Sequence, residues 1–531
     1  MKIKKLVIKN YKSIKFLEIS DFRSLNIFIG KNDAGKSNII GALDILFNSN
    51  LQDYNGILKL IDENVLESVF GTSSKYNFFD KKNPVAEITV YIDISSRELK
   101  KHELKPEKEV NKLVISKKVI GGKKTTVVSL DFLRVNKNVI IKTPEEKKRF
   151  LIKNGSYSEK FDDCVGKGLL ESLSNEFILI PADRNIIRDP HPGSEKVRVE
   201  KYIKDSLISL ANSPDEDKKK LFSQFIDFID DISPLIEKVE PVVENKRVVD
   251  LEFKTGSGEN IPLSTIGGGN NELLLLLHEM IVSGGLIMAI EEPEIHLHPQ
   301  AERKLYRFME EFSQTTQMFV VTHSPVFVEP GNLRGLFRVA KDNSGTLMYA
   351  MDEKDYIDRD RLEQELNTEN CEMFFADRVL LVEGISDKIF MEGLIDRYCK
   401  STDEIKVVSS FSKDNFDVYV DLLRIFKIPY LVMTDLDALK GRFQTKIVWR
   451  ELKKHRNIKG RDERIAFLKT HGIHVLSKGA LESCYPREYR RGISKPLDAL
   501  HAIHNLTDED YYSNRMTDLK GVIEVLEKKN G

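Results

Sequence analysis

The sequence predicts an α/β protein with more than one folded unit, on three observations. Short apolar strands at 25–29, 286–290 and 378–382 each end in a glycine-bearing or acidic turn, and a helical pattern follows. Hydrophobic residues make up 41% and charged residues 31% of the chain, which is enough apolar material for sizeable cores. The length of 531 residues corresponds to three or four domains at about 150 residues each.

Charge and composition exclude several classes of protein. The 82 basic and 83 acidic residues give a net charge of -1, so any nucleic-acid surface has to be local. No secretory signal is expected at the N-terminus, and the most apolar stretch, 272–290, is interrupted by charges and glycines, which argues against a membrane span. Four cysteines without metal-ligand spacing indicate reduced thiols, so we expect a cytoplasmic protein with no membrane partner: Cys164, Cys371, Cys399 and Cys484.

The order of predicted elements divides the chain near residues 350–370. Before the division lie strands at 3–8 and 25–29, a helix at 38–47, strands at 86–94, 113–120 and 125–132, and amphipathic helices over 199–239. Strands at 286–290 and 318–321 complete this part, and strands at 378–382 and 430–433 begin another α/β unit. We therefore predict a first domain at 1–350 with a helical insertion at about 196–248. A connector at 351–370 and a last domain at 371–531 with a C-terminal helical extension complete the division.

The segment from Gly30 to Ser37 fits the phosphate-loop pattern G-x-x-x-x-G-K-[ST] between a strand and a helix. Backbone N–H groups of such a loop hold phosphates, its lysine reaches the β- and γ-phosphates, and its serine ligates Mg²⁺. An ordinary glycine-rich turn is the alternative. The predicted ATP-contacting residues here are Gly30, Asn32, Gly35, Lys36, Ser37 and Asn38.

The apolar strand 286–290 ends in Glu291 and Glu292, a pair suited to a Mg²⁺ and water site. We expect Glu291 to hold the metal through water and Glu292 to act as general base or to orient the attacking water. Paired carboxylates also occur on solvated strand ends, but five apolar residues before this pair favour a buried strand. His296 and His298 lack further ligands for zinc and are more readily structural.

Two weaker signals accompany the phosphate loop. Ser264, Gly267 and Gly268 precede a long apolar helix, where a hydroxyl and glycines suit a second anion contact. His323 follows the strand 318–321, a position from which it could sense the γ-phosphate.

In this order, these motifs resemble the ABC-type ATPase heads of the SMC and RecF-like group over roughly residues 1–338. The resemblance implies that the Ser264 segment faces a nucleotide held by another subunit, so that ATP lies inside a head-to-head homodimer. Glu291 departs from the group, most of which has Asp there. Arg184 is either a nucleotide-contacting arginine or a surface arginine.

Acidic residues follow two strands of the last domain. Glu383 ends the strand 378–382 and Asp387 lies in the helix after it, whereas Asp435 and Asp437 follow the strand at 430–433. Four acids at one edge of a parallel sheet would repel each other unless cations neutralised them, and hard oxygen ligands suit Mg²⁺ or Mn²⁺. A pair of such ions supports phosphodiester cleavage. Helix caps and solvated turns are the alternative reading.

This pairing of acidic motifs resembles the Toprim fold of topoisomerases, primases and some nucleases. Lys413 and Asn415 lie where related nucleases have a glycine-rich loop. Glu482 resembles the last acidic metal ligand of the OLD (overcoming lysogenization defect) nucleases. Lys478 is our candidate for stabilising the scissile phosphate, and Lys520 is more readily an exposed lysine.

A basic stretch follows the acidic motifs. Between 440 and 464 lie ten Lys or Arg (440, 442, 446, 450, 453, 454, 456, 459, 461, 464) and three acids (451, 462, 463), with Phe443 and Trp449 interleaved. Charge runs are usually solvated faces. The position beside the acids favours contact with a nucleic-acid backbone.

An ABC-type ATPase followed by a Toprim domain is the arrangement of OLD-family nucleases, and this resemblance covers nearly the whole chain. It implies a Mg²⁺- or Mn²⁺-dependent DNA endonuclease coupled to ATP, with Glu383 as a metal-holding catalytic residue. The family includes the nuclease subunit of the Gabija anti-phage system and effectors of some retron systems. It therefore implies phage defence, with a helicase-like protein or retron components as partners encoded nearby.

Three alternatives remain open at this point. One is an SMC/RecF-like DNA-binding repair ATPase with an inactive Toprim domain, although the complete acidic set argues against decay. A topoisomerase or primase would need further modules that the sequence does not contain. RNA is also a substrate that two-metal cleavage would accept.

Overall fold

The computed structural model describes most of the chain in two compact units. The described residues are 1–48, 51–54, 57–60, 78–101, 104–121, 126–136, 138–141, 169–170, 172–182, 199–232, 238–245, 247–254, 260–261, 268–282, 286–355, 357–440, 444–453, 455 and 457–528. The first unit comprises Met1–Phe327 and Gly335–Met348, and the second comprises Val328–Arg334 and Tyr349–Gly531.

One sheet of the first unit is antiparallel and has eight strands. Its order is Ile14–Ser20, Lys2–Tyr11, Val85–Ser95, Val110–Gly121, Thr126–Val135, Ile57–Leu60 and Leu51–Tyr54, with Asn138–Ile141 paired to Thr126–Val135. Alternate residues of Val85–Ser95 are buried, which is the period of a strand with one face on a core. The helix Ser96–Lys101 follows this strand.

A second sheet of the first unit brings together strands that are distant in sequence. Its order is Phe177–Ile180, Ile287–Glu291, Gln317–Val321, Leu25–Ile29, Leu336–Asp342 and Gly345–Ala350, and the first five run parallel. The strands Leu25–Ile29 and Gln317–Val321 are buried at every residue, as expected of central parallel strands. Its accompanying helices are Lys36–Asn48, Gly268–Val282 and Pro299–Phe312.

The predicted helical insertion needs a correction at its C-terminal end. Helices Val199–Ala211 and Glu216–Ile232 lie on either side of the Asn212–Asp215 break, as the sequence predicts. The chain then forms a small antiparallel sheet of Lys238–Glu244, Arg247–Lys254 and Asn260–Ile261. Residues 247–254 mix β-branched and aromatic residues with charged ones, a composition typical of a strand, and they lie beyond the amphipathic helical pattern.

The second unit is built on a parallel sheet in the order Ile405–Ser409, Arg378–Val382, Tyr430–Thr434 and Ile473–Val475. Its core includes Leu380, Phe390, Leu476, Tyr485 and Leu519. Helices follow the strands at Ile385–Tyr398, Phe416–Ile425, Lys446–Lys453 and Arg461–Thr470. Three more helices form the C-terminal extension: Lys495–Asn505, Asp508–Tyr512 and Thr517–Glu527.

The segment predicted to be a connector, 351–370, carries the helix Arg359–Glu365 and most of Thr368–Cys371. Arg361 makes a bidentate contact to the buried Asp417 carboxylate, at 3.2 and 3.1 Å. These residues therefore pack as part of the second unit.

Two further findings bear on the sequence predictions. No helix in the described part of the chain is long and apolar enough to cross a membrane. Cys371, Cys399 and Cys484 are free thiols, and Cys164 lies outside the described residues.

Candidate active sites

The phosphate loop lies at the carboxyl edge of the parallel sheet in the first unit. Lys36 begins the helix that follows the loop, and its Nζ donates to the Gly30 carbonyl at 2.7 Å and the Lys31 carbonyl at 2.8 Å. Asn38 donates to the Ser13 hydroxyl at 2.7 Å, whereas Asn32 is exposed. The loop is thus folded around its lysine.

Two glycines of the loop occupy places that no side chain could share. Gly30 has φ +141°, and a Cβ there would lie 2.1 Å from the Val339 carbonyl oxygen. Gly35 has φ +101°, and its Cβ would lie 2.4 Å from Thr346 Oγ1 and 2.7 Å from Ser13 Oγ. Glycine is required at both positions for conformation and for space.

The acidic strand end reaches the same edge as the phosphate loop. Glu291 accepts hydrogen bonds from the Ser37 hydroxyl and the Ala182 N–H. Glu292 has φ +46°, a strained conformation for a residue with a side chain, and its Oε1 lies 3.7 Å from His323 Nε2. The structure therefore brings together the predicted pair, the predicted serine and the predicted histidine.

Glu294 is a member of this cluster that the sequence analysis missed. Its Oε1 accepts the His323 N–H at 2.7 Å and the Ser324 N–H at 3.2 Å, and it is also bonded by the Thr322 hydroxyl. This carboxylate fixes the backbone turn that aims His323. The sequence offers one signal for Glu294, its position two residues after Glu292. That spacing does not reveal that Glu294 bonds to the turn after a different strand.

Burial and neighbouring charge shift the protonation of this cluster. Burial lowers the pKa of Lys36 to about 8, although Glu292 and Glu294 act in the opposite direction. Burial also raises the pKa values of Glu291 and Glu294. The pKa of His323 is lowered by burial and by the Lys36 charge, which favours the neutral imidazole.

Several predicted nucleotide contacts fall outside the described residues. Ser264 and Gly267 are among them, as is Arg184. Gly268 begins the helix Gly268–Val282. His298 caps the helix Pro299–Phe312 by accepting the Gln300 N–H, which agrees with a structural role for that histidine.

A second cluster of acids lies at the carboxyl edge of the parallel sheet in the second unit. Glu383 follows one central strand and accepts hydrogen bonds from the Thr434 hydroxyl at 2.5 Å and the Asp435 N–H at 3.0 Å. Asp387 accepts the Gly384 N–H at 3.0 Å at the start of the helix Ile385–Tyr398. The sheet thus connects the two predicted acidic motifs directly.

Burial and mutual repulsion both raise the pKa values of acids in this cluster. Burial and the charges of four neighbouring acids raise the pKa of Asp435 to about 7; these neighbours are Glu383, Asp387, Glu482 and Asp437. Burial, with Glu383 and Glu482, raises the pKa of Asp387 to about 6. All five acids singled out in the sequence therefore lie within electrostatic reach of one another.

Two lysines neutralise part of this cluster. Lys413 Nζ lies 2.6 Å from Asp437 Oδ2, and Lys495 Nζ lies 2.9 Å from Glu482 Oε1. Although burial raises the pKa of Glu482, the Lys495 ion pair lowers it below the ordinary value. The Lys495 contact was not predicted, because a helix thirteen residues further along the chain supplies it.

The predicted phosphate-stabilising lysine, Lys478, forms no hydrogen bond or ion pair with the clustered acids within the described residues, and its proposed role stays a prediction. Lys478 Nζ donates to the Asn514 carbonyl, and Lys520 Nζ donates to the Tyr512 and Ser513 carbonyls at 3.2 Å each. Both ammonium groups hold the turn before the last helix. Lys413 and Lys495 are the lysines in contact with the acids.

The acids fit divalent cations in the chemistry of their donors, although the side chains are not gathered around one point. Within the described residues, no group of three or more His, Cys, Asp or Glu side chains is placed to hold a metal ion. Asp437 Oδ1 is nonetheless buried and has no hydrogen-bond partner in the described part of the chain. An orphaned carboxylate oxygen among mutually repelling acids suits a hard cation.

The predicted basic stretch is partly neutralised by acids of its own unit. Lys446 lies 3.3 Å from Asp417, and Arg450 lies 3.2 Å from Asp421. Lys453 lies over the Trp449 ring at 4.4 Å. Phe443 lies outside the described residues, so its predicted contact stays a prediction.

Family models match both halves of the chain. A model described as AAA ATPase domain matches residues 1–328. A model described as overcoming lysogenization defect protein-like, TOPRIM domain matches residues 374–437, which include four of the five clustered acids.

Two named relatives and one solved structure are similar to this chain. An OLD nuclease of Thermus scotoductus is 32% identical over 160 residues, which cover 28% of this chain and 30% of that protein. Endonuclease GajA of Bacillus cereus is 25% identical over 500 residues, 87% of this chain and 80% of that protein. A crystal structure of an Smc head bound to the C-winged helix domain of ScpA aligns with a TM-score of 0.43 at 15% identity, over 67% of this chain and 99% of that one.

Proposed function

The chain belongs to the AAA ATPase domain family and, with its Toprim domain, to the OLD family of ATP-binding nucleases, and from this we propose that it is a divalent-metal-dependent DNA endonuclease controlled by ATP. The predicted ATPase head followed by a Toprim domain is thereby confirmed. The dependence on metal, the substrate, the control by ATP and the biological role are our proposals.

The observation that carries the nuclease proposal is the acidic cluster of the second unit. Five carboxylates from three turns lie near one another, and burial together with the charges of the other four raises the pKa of Asp435 to about 7. Natural proteins keep such unfavourable charge together mainly where function needs it. A relative that aligns with 87% of this chain, GajA, is named an endonuclease, which supports the same reaction.

In the proposed reaction, Glu383, Asp387, Asp435, Asp437 and Glu482 would hold Mg²⁺ or Mn²⁺. A divalent cation bound there would polarise the phosphate of the substrate and lower the pKa of the attacking water. Thr434 and the Asp435 N–H fix Glu383 in place. Lys413 and Lys495 would leave Asp437 and Glu482 as the acids turn toward the metal, and both ammonium groups would then be free for the DNA phosphate.

In the first unit, we propose that Lys36 and the loop from Gly30 to Asn38 hold the ATP phosphates. Lys36 would exchange its two carbonyl contacts for phosphate oxygens. Ser37 and Glu291 already share a hydrogen bond; Ser37 would ligate the magnesium ion, and Glu291 would hold it through water. Glu292, with His323 3.7 Å away, would position the attacking water.

Cleavage of plasmid and linear DNA with Mg²⁺ or Mn²⁺ tests the nuclease proposal, in wild type and in Glu383→Gln. Glu404→Gln is a matched control, because Glu404 precedes the strand Ile405–Ser409 at the opposite, amino edge of the same sheet. We expect metal-dependent cutting that Glu383→Gln abolishes and Glu404→Gln keeps. Equal cutting by both variants would place the reaction elsewhere.

The same assay with and without ATP tests the control by nucleotide. We propose that nucleotide occupancy of a head-to-head dimer sets the access of DNA to the acids, with Ser264 and Gly267 facing the partner's nucleotide. Lys36→Ala should remove any effect of ATP on cutting, whereas Lys4→Ala should not, because Lys4 is an exposed lysine that pairs with Asp93 on the antiparallel sheet. Nucleotide control that survives Lys36→Ala would contradict this coupling.

A second candidate is a DNA-binding repair ATPase with an inactive Toprim domain. The lysine contacts to Asp437 and Glu482 favour it, because each lysine already neutralises one of the acids that a nuclease would use for metal. DNA binding without cutting under any metal condition would support this candidate.

We also propose that the nuclease acts in phage defence in the cytoplasm, with a helicase-like protein or retron components as its partner. This role follows from the resemblance to Gabija nuclease subunits, and two relatives carry the name endonuclease GajA. Phage plating on cells that express wild type or Glu383→Gln tests it. Equal plating on both would contradict a nuclease-based defence.

A further inference from the structure

A basic loop that the sequence analysis did not single out lies directly beside the acidic cluster. It runs from Arg487 to Lys495 and connects the turn of Glu482 to the helix Lys495–Asn505. Lys495 Nζ contacts the Glu482 carboxylate at 2.9 Å, and the Arg490 guanidinium donates to the Glu482 carbonyl. Both ends of the loop are therefore tied to one residue of the cluster.

The loop is held in a fixed shape by buried and polar contacts. The Asp498 carboxylate is buried and accepts the Arg491 N–H at 2.8 Å and the Gly492 N–H at 3.1 Å. Tyr489 donates its hydroxyl to Asp510 at 2.8 Å. Gly492 has φ +71°, which turns the chain at the tip. The conformation is thus set before any ligand arrives.

This rigid tip presents an apolar side chain between basic ones. Ile493 is 69% exposed, and Leu497 and Leu500 continue an exposed apolar stripe along the next helix. Arg487 and Arg491 are exposed and form no ion pair within the described residues, and Lys495 is 74% exposed although paired. An isoleucine that is fixed in place and exposed to solvent does not stabilise the core of its own unit. Its position in an exposed apolar stripe between basic side chains indicates a surface for a binding partner.

We propose that the loop Arg487–Lys495 binds the DNA beside the cleavage site and inserts the Ile493 side chain as a wedge between two stacked base pairs. Arg487 and Arg491 would contact phosphates on either side of the wedge, and Lys495 would join them when it leaves Glu482. Proteins that kink DNA use this combination of an apolar wedge and flanking basic residues. The inference rests on the proposed function, because it takes DNA as the polymer held at the acids.

Charge decides between DNA and another protein as the occupant. The nine residues of the loop contain four basic side chains and a single acid, Glu488. The loop also borders five carboxylates that would hold cations against a phosphodiester. The basic stretch at 440–464, by contrast, places Lys446 and Arg450 against Asp417 and Asp421. Arg487 and Arg491 of the loop form no ion pair within the described residues.

The test uses the full chain with a short DNA duplex in Ca²⁺, so that binding is measured without cutting. Arg491→Glu should weaken binding and reduce the slope of log affinity against log salt by about one. Ile493→Ser should keep that slope, and it should remove the emission rise of a fluorescent adenine analogue that brightens when unstacked. The controls are Lys400→Glu for charge and Tyr512→Ser for apolar exposure, since Tyr512 is 70% exposed. Lys400 lies beyond the far end of the helix whose first turn carries Asp387, about 20 Å away.

The outcomes separate this inference from the proposed function. If Arg491→Glu and Ile493→Ser behave like their controls, the loop does not contact DNA and the inference is wrong, whether or not wild type cuts DNA in Mg²⁺. If Ile493→Ser changes only the oligomeric state, the tip is a protein interface and the inference is also wrong. If both variants change DNA binding as expected while wild type never cuts, the proposed insertion of Ile493 is supported and the nuclease proposal fails.

Discussion

Replacing His474 should change how the stability of the second unit depends on pH. His474 lies in the strand Ile473–Val475, is 5% exposed, and its Nδ1 has no hydrogen-bond partner within the described residues. Burial and the charge of Lys469 lower its pKa to about 4 from the ordinary 6.5. The folded unit therefore keeps this imidazole neutral at pH values where the unfolded chain protonates it.

The sign and size of the effect follow from this difference in pKa. Between pH 6.5 and about 4 the unfolded chain binds the extra proton, so the stability is present above 6.5 and is lost as the pH falls. Between pH 7 and pH 5 the loss from one such group is about 2 kcal/mol. For a unit of this size, that lowers the melting temperature by roughly 4–8 °C.

The assay is thermal unfolding followed by tryptophan fluorescence at pH 7 and pH 5. Trp449 is the only tryptophan of the chain and lies in the second unit, so the signal reports that unit. His474→Gln should lose most of the acid-induced fall in melting temperature, and the exposed His504→Gln should keep it. Equal falls in wild type and His474→Gln would refute the assignment of the pH dependence to this buried imidazole.

Three further substitutions probe the phosphate loop, the acidic cluster and the stability of the second unit. Gly35→Ala should weaken ATP binding roughly tenfold or more, because the new Cβ collides with Thr346 and the positive φ costs about 1–2 kcal/mol; a fluorescent ATP analogue measures this. Lys413→Ala should tighten Mn²⁺ binding by up to about fivefold, since the lysine no longer competes for Asp437; the free Mn²⁺ signal in electron paramagnetic resonance measures this without DNA. Arg361→Ala should destabilise the second unit by about 2 kcal/mol in the tryptophan assay.

Each of these substitutions has a control of the same chemistry. Gly331→Ala meets no atom within 4 Å and should leave ATP binding intact. Lys406→Ala removes a lysine that pairs with Glu372, and it should not change Mn²⁺ affinity. Arg450→Ala breaks an exposed pair and should cost less than about 1 kcal/mol. A variant that matches its control would contradict the contact invoked for it.

The sequence was sufficient to predict the strands that carry both sites. The predicted strands at 286–290 and 430–433 are observed at Ile287–Glu291 and Tyr430–Thr434, because apolar runs before acidic turns have few other ways to fold. Parallel pairing then brings the acids to one edge. That step also follows from the sequence, since it needs only the order of strands and helices.

The partners of the acids could not be predicted in the same way. Lys495 contacts Glu482 and Glu294 fixes His323 through bonds that join separate turns, and no spacing rule encodes such bonds. Lys478 shows the converse, since its place next to the last acidic motif suggested a catalytic role, yet its ammonium group points to a carbonyl. Local patterns determine which residues end a strand, whereas tertiary packing determines which charges meet.

The strand order of the first unit has a consequence for the synthesis of the protein. The phosphate-loop strand Leu25–Ile29 lies between Gln317–Val321 and Leu336–Asp342, and Gly30 and Gly35 pack against Val339 and Thr346. At about 5–20 residues per second, a ribosome takes roughly 15–60 s to add the missing neighbours. Throughout that interval the nascent chain carries its phosphate motif without the strands that pack against it. The folded phosphate loop can therefore form only after those late strands have been synthesised.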